Sequence, residues 1–276
     1  MRPFDTNVLK SLYIPPHDAH KPQNGAVMLI GGSQLFHAAS LWSLTIISRI
    51  VDMTFYSSVS ANNEIIQKAK EEFRNGIVVP RDKIDDYIND ADVVLIGPGL
   101  PREGGLEKGD DDTKELTESF IKKYPEKKWV IDGGSLQTMD PELLLDLKVI
   151  PILTPHIKEF KMLFGVDASD EMAEEMAKKY NCVILLKGEY DVVASPEDTV
   201  RVDGGNSGMT KGGTGDVLAG LVAALYTKND AFLSAQSASY INKKAGESLF
   251  ERVGYYFNAL DLADEIPKVM KKVITQ

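Results

Sequence analysis

Short apolar runs alternate along this chain with longer stretches whose apolar residues have helical spacing. Residues 26–30 and 93–96 are compact apolar runs, and each is followed by a stretch with a helical pattern. This alternation indicates parallel strands joined by crossover helices, because a tight turn cannot connect a parallel pair. The pattern therefore predicts an α/β fold in which helices flank a central, mostly parallel sheet.

The predicted elements account for most of the chain. The predicted parallel strands are residues 26–30, 53–57, 77–79, 93–96, 129–131, 149–153 and 183–186, followed by an antiparallel pair at 192–194 and 200–202. The predicted helices are residues 39–50, 62–74, 113–123, 171–180, 215–226, 231–250 and 260–274. No internal repeat or linker separates them, so we expect residues 1–276 to form one domain.

The composition argues against several classes of partner. The chain has 31 Lys and Arg against 41 Asp and Glu, and the resulting net charge of −10 disfavours binding to nucleic acid. No apolar run approaches the ~20 residues of a membrane helix, and the first residues lack the apolar core of a signal peptide. Cys182 is the single cysteine, so no disulfide can form within the chain. We therefore expect a cytoplasmic protein without nucleic acid or membrane partners.

The most informative motif is the glycine-rich loop, residues 211–216, which leads directly into an apolar helical pattern. The first backbone N–H groups of a helix lack partners within it and carry partial positive charge, so glycines there let a phosphate approach closely. Asp216 would place a carboxylate beside such an anion. One interpretation is a helix start favoured by an early acidic residue, with glycines as turn formers. The other is an anion site with a catalytic base, as phosphoryl transfer to a hydroxyl requires.

Glycine and polar residues also follow five predicted parallel strands. They are Gly31-Gly32-Ser33, Gly97-Pro98-Gly99, Asp132-Gly133-Gly134, Thr154-Pro155-His156 and Lys187-Gly188. Each alone could be a simple turn. Together they indicate a ligand crevice, because open α/β sheets bind ligands outside the carboxyl ends of their strands.

Three side chains in these segments have two interpretations each. Glu159 follows His156 by three positions, so the pair could form a helix cap, with Thr154 nearby. Alternatively, His156 could bind substrate while Glu159 orients water on Mg²⁺. Lys187 could extend to the surface or contact a phosphate.

Several other sites are disfavoured. The chain lacks the Gly-X-Ser-X-Gly motif of serine hydrolases, and Lys211 precedes the glycines instead of closing a Walker A loop. Gly31-Gly32-Ser33 lacks the spacing of a dinucleotide fingerprint. The acidic run 110–112 is predicted to be a solvated loop and helix start, with a metal site as the weaker alternative.

The motifs in combination resemble a known family. The Gly-Gly-Thr-Gly-Asp sequence at 212–216 resembles the anion hole and base of the ribokinase-like superfamily, whose fold has three layers. Within that superfamily the chain is similar to the ADP/ATP-dependent NAD(P)H-hydrate dehydratases. The matching motifs cover about residues 25–226 and are Gly31-Gly32-Ser33, Gly97-Pro98-Gly99-Leu100, Thr154-Pro155-His156-Ile157-Lys158-Glu159-Phe160, Lys187-Gly188 and Gly205-Asn206-Ser207-Gly208-Met209.

The resemblance implies repair of hydrated NADH or NADPH. ADP or ATP would phosphorylate the ring hydroxyl, and loss of phosphate would restore the reduced cofactor. Asp216 would be the base, and Gly213, Thr214 and Gly215 would donate N–H groups to the transferred phosphoryl group. The implied substrate-binding residues are Ala39, Gly99, His156 and Asp216. The implied nucleotide-binding residues are Lys187, Gly188, Glu189, Tyr190, Asp191 and Gly215. Glu159 would act on the cofactor Mg²⁺ through water.

This sequence departs from the family pattern at a few positions. Ala38 stands where glycine is usual, Gly133-Gly134-Ser135 replaces Ala-Asp-Ala, and Asp191 stands where threonine is frequent. The epimerase domain of many bacterial fusions is absent from the sequence, so we expect a separate epimerase protein to supply that activity. We also expect a homo-oligomer, because the apolar face of the last helix could pack within or between chains.

Two other functions compete with the dehydratase. A small-molecule kinase of the same superfamily, acting on a sugar, a hydroxymethylpyrimidine or a thiazole alcohol, would use the same Asp216 and anion hole. A nucleotide-binding module without turnover is disfavoured by the presence of Asp216. ADP and ATP both stay open as the phosphoryl donor.

Overall fold

The fold is built on one sheet. A computed structural model describes residues 1–69, 76–102 and 106–274. The strands of the described residues are β1 Arg2–Pro3, β2 Ala26–Ile30, β3 Met53–Ser57, β4 Ile77–Val78, β5 Val93–Ile96, β6 Lys128–Ile131, β7 Ile152–Leu153, β8 Val183–Leu186, β9 Asp191–Ala194 and β10 Thr199–Val202. Their order in the sheet is β1-β10-β9-β8-β7-β6-β5-β2-β3-β4. The pairs among β2 to β8 are all parallel, and β1 also pairs in parallel with β10. Strand β9 runs antiparallel to both β8 and β10. The predicted mostly parallel sheet is confirmed.

Ten α-helices pack around this sheet in the part of the chain that the structure describes. They are α1 His37–Ile47, α2 Ser60–Ala69, α3 Ile84–Tyr87, α4 Thr113–Lys123, α5 Gly133–Thr138, α6 Ile157–Phe164, α7 Asp170–Lys179, α8 Thr214–Tyr226, α9 Ala231–Val253 and α10 Ala259–Ile274. Short 3₁₀ helices lie at Thr6–Ser11, Arg81–Lys83, Ile88–Asp90, Pro141–Asp146 and Ser207–Thr210.

Alternate side chains of the central strands enter two separate apolar cores. In β2, Val27 and Leu29 pack into the core that includes α1, α8, α9 and α10, while Met28 and Ile30 pack on the opposite side of the sheet. Strands β2, β5, β7 and β8 are buried throughout, and each therefore appears in the sequence as a continuous apolar run. The three-layer α/β architecture is confirmed.

Helix α8 is buried along almost its whole length, and it sets the position of the glycine-rich loop. It contacts β2, β5 and β6 on one side and α1 on the other. Gly220 allows the close approach of α1, because a Cβ there would lie 2.8 Å from the Ser43 carbonyl oxygen. The first turn of α8 is thus held against the middle of the sheet.

The last helix packs within the chain. Leu262, Ile266 and Val269 of α10 are all buried, and Val273 packs against the same core. The apolar face of α10, which could have packed within or between chains, is therefore buried within this chain. Among the described residues, no helix combines the length and apolarity needed to cross a membrane.

Some predicted boundaries were wrong. The predicted strand 149–153 is reduced to Ile152–Leu153, because Pro151 has no N–H to donate to a sheet. The predicted helix 231–250 extends to Val253, where Gly254 at φ +63 ends it. The predicted helix 62–74 begins at Ser60, and its residues 70–74 lie outside the described residues. Residues 133–138, for which no helix was predicted, form α5.

Candidate active site

Lys187 lies at the centre of a group of three carboxylates at the carboxyl edge of the sheet. It follows β8 directly, and its Nζ lies 3.0 Å from Asp132 Oδ1, just beyond β6. Its Nζ also lies 3.8 Å from Glu159 Oε2, in the first turn of α6. Asp216, at the start of α8, is close enough to influence the pKa of Lys187. The expectation that strand ends converge on one crevice is met for these residues.

Asp132 is the residue of this group that the sequence placed at the crevice without giving it a role. It is 3% exposed, and its Oδ1 accepts a hydrogen bond of 2.7 Å from Thr154 Oγ1 as well as the Lys187 contact. Its position at the end of a predicted strand was the available signal. A buried carboxylate needs such partners, because an unpaired one would cost several kcal/mol.

The charged side chains of this group shift one another's pKa values. Burial lowers the pKa of Lys187, but Asp132 and Glu159 raise it by more, so the amine stays protonated. Burial raises the pKa of Asp216 to about 7, and Asp132 raises it while Lys187 lowers it. Part of the Asp216 side chain stays accessible. A carboxylate with a pKa near neutrality suits the uptake of a proton from a bound hydroxyl.

The glycine-rich loop adopts a conformation that only glycine accepts readily. Gly213 caps α8 at φ +96, and a Cβ there would lie 2.5 Å from Trp42 Cζ3 and 2.7 Å from Ala259 Cβ. The Thr214 hydroxyl donates to the Met209 carbonyl at 2.6 Å. This hydrogen bond ties the start of α8 to the segment that precedes the loop.

The start of α8 lies close to the Lys187 ammonium. The first helical hydrogen bond runs from Val217 N to Gly213 O, so the Gly215 and Asp216 amides precede it. A Cβ on Gly215 would lie 3.4 Å from Lys187 Nζ. A helix N-terminus and a buried ammonium therefore meet at one point, where an anion would be stabilised by both.

His156 and Glu159 form a helix cap. His156 Nδ1 accepts from the backbone N–H groups of Lys158 and Glu159, both at 3.1 Å, and Glu159 Oε2 accepts from His156 N at 2.9 Å. This capping box realises the structural interpretation, with His156 rather than Thr154 as the cap. Since Nδ1 accepts, the neutral ring carries its proton on Nε2, which can still donate to a ligand because the side chain is 49% exposed.

The side chains at this edge do not fit direct metal binding. Both carboxylate oxygens of Glu159 are engaged, since Oε1 accepts from Gln137 Nε2 at 3.2 Å while Oε2 bonds the His156 amide. Across the described residues, no group of three His, Cys, Asp or Glu side chains could hold a metal ion. A divalent cation here would need its ligands from water and a bound phosphate.

The predicted nucleotide-binding residues surround two adjoining cavities. The first, of about 150 Å³, is lined by Lys187, Gly188, Glu189, Asp191, Asn206, Met209, Thr210, Thr214, Gly215, Leu218, Asn242 and Lys243. The second, of about 440 Å³, shares 187–189 with it and includes Tyr190.

Asp191 points its carboxylate into the protein. Its Oδ1 accepts from Gly188 N at 3.1 Å and lies 3.3 Å from Lys243 Nζ, and its Oδ2 accepts from Ser239 at 2.7 Å. These contacts compensate the negative charge at the cavity wall and tie the β8–β9 turn to α9. The cation at Lys243 and the burial of both side chains explain why aspartate is accepted at this position.

Ala39 and Gly99 lie next to each other on the other side of the glycine-rich loop. A Cβ on Gly99, whose φ is +74, would lie 3.1 Å from Ala39 Cβ and 2.5 Å from the Phe36 carbonyl oxygen. One turn further along α1, Ser43 Oγ donates to the Asp216 carbonyl at 2.7 Å. The structure therefore places both predicted substrate residues on the side of the crevice that borders Asp216.

Two other charged segments serve the fold. The acidic run 110–112 lies in a partly exposed loop that ends at Asp112, the N-cap of α4, as predicted. Within this loop Asp110 accepts from Gln34 N at 2.7 Å, and Asp111 pairs with Arg81 at 2.8 Å. The side chain of Lys211 binds the carbonyl groups of residues 255 and 257, away from the anion position.

Known proteins resemble this chain over nearly its full length. A family model described as NAD(P)H-hydrate dehydratase matches residues 27–268. The chain is 35% identical to the bifunctional NAD(P)H-hydrate repair enzyme Nnr of Methanocaldococcus jannaschii, over 95% of this chain and 51% of that protein. It is 32% identical to the ADP-dependent (S)-NAD(P)H-hydrate dehydratase of Nitrosopumilus maritimus, over 96% of each. The chain thus spans about half the length of the first of these relatives and most of the second.

Solved structures share the fold. The ADP/ATP-dependent NAD(P)H-hydrate dehydratase of Bacillus subtilis, co-crystallized with ATP/Mg²⁺, superposes with a TM-score of 0.81 at 23% identity, covering 99% of both chains. A hydroxyethylthiazole kinase from Pyrococcus horikoshii gives 0.60 at 18% identity, covering 98% of this chain and 95% of that one.

Proposed function

The chain belongs to the NAD(P)H-hydrate dehydratase family, and on that premise we propose that it dehydrates hydrated NADH or NADPH with ADP or ATP as co-substrate. The observation that carries the proposal is the meeting of Asp216, Lys187 and the amides of the glycine-rich loop at one point. A base, a fixed cation and N–H donors are the parts that phosphoryl transfer to a hydroxyl needs.

In the proposed reaction, Asp216 takes the proton of the ring hydroxyl while that oxygen attacks the terminal phosphoryl group of the nucleotide. The bond between that phosphorus and its bridging oxygen breaks, releasing AMP from ADP or ADP from ATP. The amides of Gly213 and Gly215, together with Lys187, are proposed to stabilise the charge on the transferred group. The Thr214 amide, which the family resemblance also implied, donates to the Lys211 carbonyl at 3.4 Å instead. The bond between the ring carbon and the phosphate oxygen then breaks with release of phosphate, the neighbouring ring carbon loses a proton, and the double bond that forms between the two carbons restores the reduced nicotinamide.

His156, Ala39 and Gly99 are proposed to face the hydrated ring, with His156 Nε2 as a donor. The β8–β9 turn, residues 187–191, is proposed to border the nucleotide, with Asp191 acting by holding that turn in place. Water-mediated contact between Glu159 and Mg²⁺ stays a prediction, as do a homo-oligomer, a separate epimerase and a cytoplasmic location.

The test is a turnover assay with purified protein. Hydrated NADH and hydrated NADPH are each incubated with ADP or with ATP, and absorbance of the reduced nicotinamide is followed. We expect recovery of the chromophore with at least one nucleotide. If neither nucleotide restores it while a sugar or thiazole alcohol is phosphorylated, the chain is a kinase of the same superfamily instead.

A further inference from the structure

One cavity beside the β8–β9 turn contains a buried carboxamide that the fold does not use. Asn242, on α9, is 5% exposed and lines this cavity together with Gly188 and Gly215. Its Oδ1 is buried and makes no hydrogen bond within the described part of the chain. An unpartnered buried carboxamide weakens the fold, so its presence calls for an explanation.

The other buried or half-buried polar side chains around the cavity have partners in the protein. Asn206 donates to the Gly246 carbonyl at 2.8 Å and accepts from Gly208 N at 2.9 Å. Thr214 bonds two loop carbonyls, and Asp191 pairs with Lys243. Among the described residues that line this cavity, Asn242 is the one with a buried unpartnered atom, and this combination of position and missing partner points to a ligand.

The surroundings of Asn242 suit a flat heterocycle. Met209 and Leu218 line the same cavity and offer apolar surface to the faces of a ring. Lys187 and Gly215 border it at the anion position, so one nucleotide can extend from its phosphates there to its base at Asn242.

A carboxamide carries a donor and an acceptor side by side. At its N7 edge adenine presents the matching pair, an amino group next to an acceptor nitrogen, whereas hypoxanthine and guanine present two acceptors there, which a carboxamide cannot match in either orientation. We propose that Asn242 is the residue that reads the base and selects adenine nucleotides. This inference rests on the proposed function, in which the site uses ADP or ATP.

The experiment measures nucleotide binding by calorimetry with ADP and with inosine diphosphate, which differs from ADP only at the base. Asn242→Leu keeps the shape of the side chain and removes its polar atoms. Gln236→Met is the matched control, because Gln236 also lies on α9 with an unpartnered carboxamide oxygen but does not line the cavity. We expect the parent to prefer ADP, Asn242→Leu to bind ADP at least ~10-fold more weakly with little preference left, and the control to match the parent.

The outcomes separate this inference from the proposed function. If Asn242→Leu keeps the parental affinity and preference while the parent turns over hydrated cofactor, only the role of Asn242 is overturned. If the parent binds no adenine nucleotide, both are overturned. Thermal unfolding checks the variant, which should be at least as stable as the parent because an unpartnered polar group is removed. If Asn242→Leu fails to fold, the affinities for ADP and for inosine diphosphate are compared in Asn242→Ser instead, with the same expected loss of preference.

Discussion

Replacement of Asp132 by asparagine tests the charge arrangement around Lys187. The Asp132–Lys187 contact of 3.0 Å corresponds to an attraction of about 5 kcal/mol at an effective dielectric constant of ~20, before desolvation is counted. Removing one partner of a buried ion pair costs ~3–5 kcal/mol when the other is left alone. Because Glu159 stays 3.8 Å from Lys187, we expect Asp132→Asn to lower the free energy of unfolding by about 2–3 kcal/mol. The measurement is urea unfolding. A lower midpoint concentration of urea, with the dependence of the free energy of unfolding on urea unchanged, reports the loss of stability.

The same variant should change the pH dependence of catalysis. The pKa of Asp216 is about 7, and Asp132 is one cause of its rise. If ionised Asp216 is the base, kcat/KM of the parent rises as the pH increases through about 7. Loss of the Asp132 charge lowers the pKa of Asp216, so this rise should move to lower pH. The assay measures kcat/KM for hydrated NADH over about pH 5–9, with the same nucleotide as co-substrate throughout.

Asp111→Asn is the matched control for this pair of effects. Asp111 forms an ion pair of 2.8 Å with Arg81 outside the site, so its loss should reduce stability without moving the pH profile. A profile of Asp132→Asn that coincides with the parent, or that moves to higher pH, would refute the assignment of Asp216 as a base whose pKa depends on Asp132.

Three further substitutions test separate parts of the site. Asp216→Asn should keep nucleotide binding and lose about 10²–10⁴-fold in turnover, measured by the chromophore assay; parental turnover would contradict its role. Because the folded pKa of Asp216, about 7, lies above its ordinary value of 3.8, its ionisation destabilises the fold progressively between these two pH values and fully above pH 7. The same variant should therefore be about 1–3 kcal/mol more stable than the parent near pH 8 and nearly equal to it near pH 4. Gly213→Ala should lower stability by about 2–4 kcal/mol in urea unfolding, because of its φ of +96 and the contact with Trp42; an unchanged midpoint would show that the loop can adjust. His156→Ala should cost about 1 kcal/mol as a lost cap and also raise KM for the hydrated cofactor, whereas His156→Asn should recover the stability alone.

Several elements of the fold were predictable because local sequence determines them. Strands 93–96 and 183–186 and helix 113–123 were predicted with the bounds that the structure has. A strand covered on both faces must be apolar throughout, and Asp112 marks the start of α4 as a side-chain cap. Helix α5 was missed because its first residues are glycines, which favour turns, and tertiary packing overrides that preference.

The sequence by itself determined the order of strands and helices, the sheet edge at which the site lies, and the glycine-rich loop with its acidic residue. These follow from local patterns of apolar spacing and glycine, which need no distant partner. Only the tertiary structure decided which charges meet: it brought Asp132 to Lys187 across 55 positions of the chain and turned Asp191 towards Lys243. It also directed Lys211 to the carbonyls of a distant loop. The reason is physical, since a buried charge takes whichever opposite charge the packing of the sheet places beside it, and that neighbour is distant in sequence.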